Sequence, residues 1–479
     1  MSADDSAQGG ALRSRLAPSL VGSASWPLEA GCLVAILALA GFLFHRCLSV
    51  PPSFDEAVYL AQTDAIVHGQ RLGTDVFAAQ PPGWYWLLEA AQRVGGLGVD
   101  QMRLAVLAIA LVGLLAVYAI GRQVAGPAAG VASAAVLAVS PPYPTFSAQV
   151  SADLPGVVLA LLSLACMLAA RETRRWPFAI AGGVLFACAE LVKLDAFIVL
   201  LPVLAYLATR ELGLRAFSVA VGSAAVAFGI AAAALNSSFH AVWRGAISYH
   251  VAARHAAGAY ENVHDLRAFF DLRQPLTWMT ALALVSTVLL RPRTRFWPYW
   301  AAAVAGAGFI LWQRPLHDNH LVILAMLLAV PIGCTFVAVA ARRPVPVVAV
   351  LALAVAAGYA QETRRLDRNA APLPAGVQWA VSRVEAASSP SQLVVSDEPL
   401  VPFLAHRRMP GSVIDTAVLR FDAGYLSNAQ VLDAIDRDHV RVVVAGRSFL
   451  LRPRLLRAIA ARFPAPETRD GVRVYARLG

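Results

Sequence analysis

Two adjacent carboxylates, Asp55 and Glu56, follow directly on the first long apolar run of the sequence, within Phe54-Asp55-Glu56-Ala57-Val58-Tyr59. Carboxylates at a membrane boundary can take a proton from a hydroxyl, because partial desolvation raises their pKa toward the working range. The same pair also suits a helix N-terminus, where the dipole favours acids and Ser53 can cap. A third acid, Asp153, stands in Ser151-Ala152-Asp153-Leu154-Pro155, in a connection that carries no cation. It serves either as an unpaired functional acid or as the cap of a helix whose first turn holds Pro155.

The candidate counter-charges are fewer. Lys193 is the single lysine among forty lysines and arginines, and it interrupts an otherwise apolar stretch. An ammonium in that place needs an anion. A lipid phosphate is one partner; Glu190, three residues back, or Asp195 is the alternative. Arg314-Pro315-Leu316-His317-Asp318-Asn319-His320 lies between two late apolar runs. His317 and His320 share a helical face if a helix begins here. They can bind phosphate, bind a divalent metal with Asp318, or serve as ordinary polar interface residues. Gln80-Pro81-Pro82-Gly83 starts a new helix, since proline is confined to a helix's first turn. The segment 236–274 mixes His240, Arg244, Tyr249, His250, Arg254, His255 and His264. That mixture suits a sugar or lipid headgroup, and equally a solvated membrane-surface helix.

Composition places these residues at a bilayer. The chain has 479 residues, 58% hydrophobic and only 15% charged, against about 25% charged in soluble domains. The net charge of +10 is spread as short Arg clusters between apolar runs, which is a topology signal and gives no reason to expect nucleic acid. The five cysteines lie in or beside apolar runs without metal-ligand spacing and read as packing residues.

Apolar runs fall near 28–48, 101–121, 126–141, 154–170, 176–191, 194–209, 216–235, 275–290, 296–313, 319–341 and 344–360, which predicts about 11 transmembrane helices. Residues 1–27 are polar and read as a disordered tail. Arg13 and Arg15, Arg122, Arg171 with Arg174 and Arg175, Arg210 with Arg215, Arg291 with Arg293 and Arg295, and Arg342 with Arg343 occupy alternate connections. The positive-inside rule then predicts a cytoplasmic N-terminus, and outer loops 49–100 and 236–274 with an extracytoplasmic domain over 361–479. Within the first loop, 54–69 and 83–94 read as two amphipathic surface helices, the second anchored by Trp84, Tyr85 and Trp86 at headgroup level. Val394–Val395, Val442–Val444 and Val472–Tyr475 read as strands, with helices over 425–437 and 449–462, forming a small α/β domain.

Taken together, Asp55-Glu56, the Pro81-Pro82 segment and Asp153 before a proline-led span resemble the GT-C class of integral membrane glycosyltransferases. The similarity is to the protein O-mannosyltransferase and lipid A aminoarabinose transferase family. It covers residues 28 to about 210 well and the later spans loosely. The resemblance implies inverting transfer of a sugar from a polyprenyl-phosphate donor to a lipid, glycan or protein acceptor at the outer face of the cell membrane. It places the first-loop acid on Asp55, with Glu56 beside it, and the second-loop acid on Asp153. Lys193 falls where relatives often have a lysine, and Gln80 stands where many have a basic residue before the Pro-Pro pair. Lys193, Arg314, His317 and His320 are thus the expected donor-phosphate residues, and Gln80, Tyr59 and Arg244 the expected substrate contacts. A divalent cation is the one cofactor candidate, since the charge of the leaving phosphate must be neutralised by cations or a metal. A transporter or flippase of lipid-linked sugars is the rival reading. Transporters carry ionisable groups at mid-membrane, whereas here the acids gather at one face.

Overall fold

The computed structural model describes residues 26–195, 203, 213–235, 238–256, 266–290 and 296–477. Ten of the eleven apolar runs are helical among the described residues: α1 Trp26–His45, α4 Val99–Ala125, α5 Pro127–Ala138, α6 Asp153–Thr173, α7 Trp176–Val192, α8 Leu214–Leu235, α9 Pro275–Leu290, α10 Trp297–Trp312, α11 Leu321–Ala340 and α12 Pro344–Asn369. The run at 194–209 lies almost wholly outside the described residues, as does nearly all of the tail over 1–27. Six of the helices are long and apolar enough to cross a bilayer, so the chain is a multi-pass membrane protein. Proline in the first turn opens α5, α7, α10 and α12, where its missing N–H costs nothing. The 126–141 run is interrupted: α5 stops at Ala138, and a separate helical turn covers Pro142–Phe146.

The centre of the bundle is α11, buried over most of its length. The periphery is α1, α8, α9 and α12, whose large apolar side chains remain exposed. Most apolar groups outside the packed centre thus face lipid.

The two helices of the first loop, α2 Phe54–Val67 and α3 Pro82–Gly95, form where expected but do not lie on the surface. Trp84 and Tyr85 are fully buried, so they are core residues and not headgroup anchors. Helix α2 is enclosed on two sides. Tyr59 and Leu60 join the membrane core, whereas Ala57, Val58, Ala61 and Ala65 pack against the C-terminal domain.

That domain begins after α12, which runs on to Asn369. It has helices α13 Ala375–Ala387, α14 Leu400–Leu404, α15 Asn428–Arg437 and α16 Pro453–Ala460. Its strands are β1 Val394–Ser396, β2 Val442–Ala445, β3 Glu467–Arg469 and β4 Val472–Ala476. The sheet order is β1-β2-β4-β3, with β1 and β2 parallel and the other pairs antiparallel. Alternation sorts the valines of the central strand. Val443 faces one apolar cluster with Ile435 and Phe449. Val442 and Val444 face another with Val377, Val401 and Ala57 of α2. One face of the sheet layer is therefore completed by the first loop of the membrane domain.

Candidate active site

Local sequence fixes the start of α2. Ser53 accepts a hydrogen bond from the Glu56 backbone N–H, and Glu56 accepts one from the Ser53 N–H, a reciprocal cap. The Glu56 carboxylate is fully buried and holds Arg103 of α4 by two bonds of 2.7 Å each. It also accepts from the Val150 N–H at 3.3 Å, while Arg103 donates to the carbonyls of Leu48 and Val50. Glu56 is one of the residues expected to be catalytic; in the structure both its oxygens are engaged by Arg103, the Ser53 N–H and the Val150 N–H, contacts that join the end of α1, the start of α2 and α4.

Asp55, one residue earlier, has a different environment. Its side chain stays accessible to water at the first turn of α2, with Asp153, Lys193, His317 and Asp415 near enough to act on its charge. Burial raises its pKa from the ordinary carboxylate value; Asp415 and Asp153 push the same way, and His317 and Lys193 oppose. His317 is likewise accessible. His250 donates from Nε2 to the Ala79 carbonyl at 2.7 Å, which leaves Nδ1 as an acceptor.

Near Asp55 lies a buried charged cluster. Lys193, which caps the C-terminus of α7, places Nζ 3.3 Å from Asp153 Oδ1 and 3.9 Å from Asp195. Asp153, at the first turn of α6, also accepts from Asn319 at 2.6 Å and has His320 Nε2 at 3.6 Å. The acid expected to lack a local cation is therefore paired across forty residues. Lys193 takes Asp153 as its nearest anion, with Asp195 second. Burial pulls the Lys193 pKa down, but Asp153 and Asp195 outweigh it and hold the pKa above its usual value. Two glycines permit this approach. A Cβ at Gly156 would meet the Lys193 Cβ at 2.7 Å, and one at Gly83 would meet the Leu191 carbonyl at 2.7 Å.

The remaining expected residues divide. Tyr59 and Gln80 are buried together, with the Gln80 amide donating to the Tyr59 hydroxyl at 3.1 Å. His317 caps a single helical turn, Asp318–His320, and its ring lies 5.6 Å from that of His320. Arg314 is half-buried and precedes a cis proline, and Arg244 is exposed within a π-helical turn; among the described residues no hydrogen bond or ion pair joins either to the cluster. Nor do the described residues include three or more His, Cys, Asp or Glu side chains grouped to hold a metal ion. Sequence reasoning quoted Asn319 without a role and missed Asp415. Asn319's position inside the His-Asp-Asn-His run was the available signal, whereas Asp415 lies in the distant C-terminal domain and had none.

The many-helix bundle carrying a small α/β domain is similar in fold to solved membrane glycosyltransferases. The sequence profile of the family described as dolichyl-phosphate-mannose-protein mannosyltransferase matches residues 79–239. The chain superimposes on ArnT from Cupriavidus metallidurans, solved bound to undecaprenyl phosphate, with a TM-score of 0.69 at 16% identity, covering 94% of this chain and 98% of that one. It also matches the Archaeoglobus fulgidus oligosaccharyltransferase AglB, solved with an inhibitory peptide and a dolichol-phosphate. That TM-score is 0.57 at 13% identity, over 95% of this chain and 75% of that one. No curated protein matches by sequence.

Proposed function

We propose that the protein transfers a sugar, with inversion, from a polyprenyl-phosphate-linked donor to a lipid, glycan or protein hydroxyl at the outer face of the cell membrane. The observation that carries this reading is the pairing of an accessible acid with a buried cation. Asp55 is open to water with its pKa raised by burial, and Lys193, near enough to act on its charge, is a buried cation held by Asp153. In this scheme Asp55 accepts the acceptor hydroxyl's proton as the oxygen attacks the anomeric carbon. The anomeric carbon–phosphate oxygen bond breaks on the opposite side, and the polyprenyl phosphate leaves with the electron pair. One displacement inverts the anomeric centre. The growing phosphate charge is met by Lys193, His317 and Arg314, while Asp153, Asn319 and His320 hold the ammonium in place. Tyr59, Gln80 and Arg244 are assigned to the substrate side.

The test is single-turnover transfer from a short-chain polyprenyl-phosphate sugar, with lipid and glycan profiles of cells with and without the gene naming sugar and acceptor. Asp55→Asn should lower the rate by about 10²–10⁴-fold with folding intact, because an amide cannot take the proton. Wild-type turnover by that variant would remove Asp55 as base. Chelation decides whether a divalent cation joins Lys193: loss of transfer restored by Mg²⁺ or Mn²⁺ assigns it.

A further inference from the structure

A second polar region lies at the end of α12, and its lining includes none of the residues around Asp55. A cleft of about 850 Å³ opens there, lined by Ala357, Ala360, Gln361, Arg364 and Arg368 of α12 and by Arg273 just before α9. Residues 357, 361, 364 and 368 form one stripe of the helix, being three or four positions apart. The stripe changes character along its length, apolar through Ala357 and Ala360 and cationic at Arg364 and Arg368. The change falls where the hydrophobic stretch of α12 gives way to charge, which is the bilayer boundary on the face that carries the C-terminal domain.

The charge balance is one-sided. Asp367 also lines the cleft but is ion-paired with Arg46. Among the described residues no carboxylate side chain is ion-paired with Arg273, Arg364 or Arg368, and all three are exposed. Below the cleft both walls face lipid. Leu353 is 69% exposed on α12 and Leu289 75% exposed on α9. Trp278, in the first turn of α9, donates its indole N–H to the Leu272 carbonyl at 2.6 Å and stays half exposed, as a tryptophan at headgroup level does.

We infer that this cleft is a binding site for the headgroup phosphate of an anionic phospholipid, with Arg273, Arg364 and Arg368 holding the phosphate and Ala357 and Ala360 flanking an acyl chain. Three unpaired guanidiniums above an apolar groove open to the bilayer match a net-negative headgroup joined to hydrocarbon. A free phosphate would use the arginines but not the groove.

The experiment reconstitutes the full chain in nanodiscs of mixed phosphatidylglycerol and phosphatidylcholine and measures co-purifying lipid by native mass spectrometry. Wild type should retain phosphatidylglycerol preferentially. Arg364→Ala with Arg368→Ala should reduce that preference by about fivefold per arginine, and the double Lys variant should recover most of it. Both side chains are exposed, so an unchanged elution profile verifies the fold. Equal retention of the two lipids by wild type overturns the inference, and so does a preference that survives the double alanine variant. Abolition of the preference by millimolar inorganic phosphate would assign a free-phosphate site and overturn the lipid assignment.

Discussion

Glu56→Gln separates a structural acid from a chemical one. Glu56 and Arg103 are 0% and 4% exposed at their side chains, and they share two bonds of 2.7 Å. Hydrogen bonds to charged groups contribute about 1.5–3 kcal/mol each, so the pair accounts for about 3–6 kcal/mol of local interaction. Independently, removing one partner of a buried ion pair costs about 3–5 kcal/mol, since the other charge stays buried and uncompensated. The two routes agree. Glutamine keeps one acceptor but removes the charge, and Arg103 would be left with the Leu48 and Val50 carbonyls. The expected outcome is a marked loss of thermal stability in detergent for Glu56→Gln and for Arg103→Met. The double variant should be more stable than either single change predicts, with a coupling energy above about 1 kcal/mol. The assay is heating followed by size-exclusion recovery, with donor turnover measured on the surviving folded fraction. A Glu56→Gln protein of wild-type stability but without activity would refute the structural assignment and restore Glu56 as a reacting group.

Four further outcomes follow from the same geometry. Asp55 acts as base only when ionised, so turnover should fall as pH drops through its raised pKa, above the ordinary aspartate value near ~3.9. Asp415→Asn removes a negative neighbour, so the acid limb should move to lower pH in a pH–rate profile; an unmoved limb would exclude the coupling. Lys193→Gln should weaken donor use, seen in donor titrations, more than Glu190→Gln does, because the structure gives Lys193 to Asp153 and Asp195; equal effects would point to a purely structural charge. Gly156→Ala should displace Lys193 and cost about 1–3 kcal/mol by overpacking, read as lowered thermal stability together with lowered turnover. An export-dependent reporter fused after Gly479 should be active if the C-terminal domain is extracytoplasmic, and a reporter active only in the cytoplasm would reverse the topology.

Periodicity was informative where burial is set by lipid or by a single sheet face. The apolar runs gave the helices, and the valine-rich strands stood out because both faces of the sheet are covered. Strand β3, Glu-Thr-Arg, is exposed throughout and has no apolar pattern, so nothing marked it in advance. The aromatic triplet at Trp84–Trp86 was misplaced for a related reason. Composition cannot distinguish a headgroup belt from a seam covered by another segment of the same chain. Ion-pair partners were legible only in part, because sequence favours neighbours. Of the two neighbouring acids offered to Lys193, Asp195 lies 3.9 Å away, but the nearer anion, Asp153, is brought to it by the close packing of α6 on α7.

Asp55 and Glu56 are adjacent, and the fold gives them opposite duties for a geometric reason. Successive residues on a helix are about 100° apart, since there are 3.6 per turn. Once Glu56 is tied to Arg103 and the Val150 N–H, the rotation of α2 about its axis is set. Ser53 fixes where the helix begins, and Ala57 and Val58 on the C-terminal domain fix its tilt. Asp55 is then left accessible to water, with Asp153, Lys193 and His317 near enough to act on its charge. The buried pair therefore positions the accessible acid, and its free energy is spent on orientation rather than on contact with substrate. The C-terminal domain also meets the first loop and the 244–249 turn, where Arg420 lies over Phe77 at 3.9 Å and Tyr425 lies 5.4 Å from Tyr249. Helix α2 is thus held from both the membrane core and the domain above it, which leaves its first turn, and Asp55 with it, little freedom to rock.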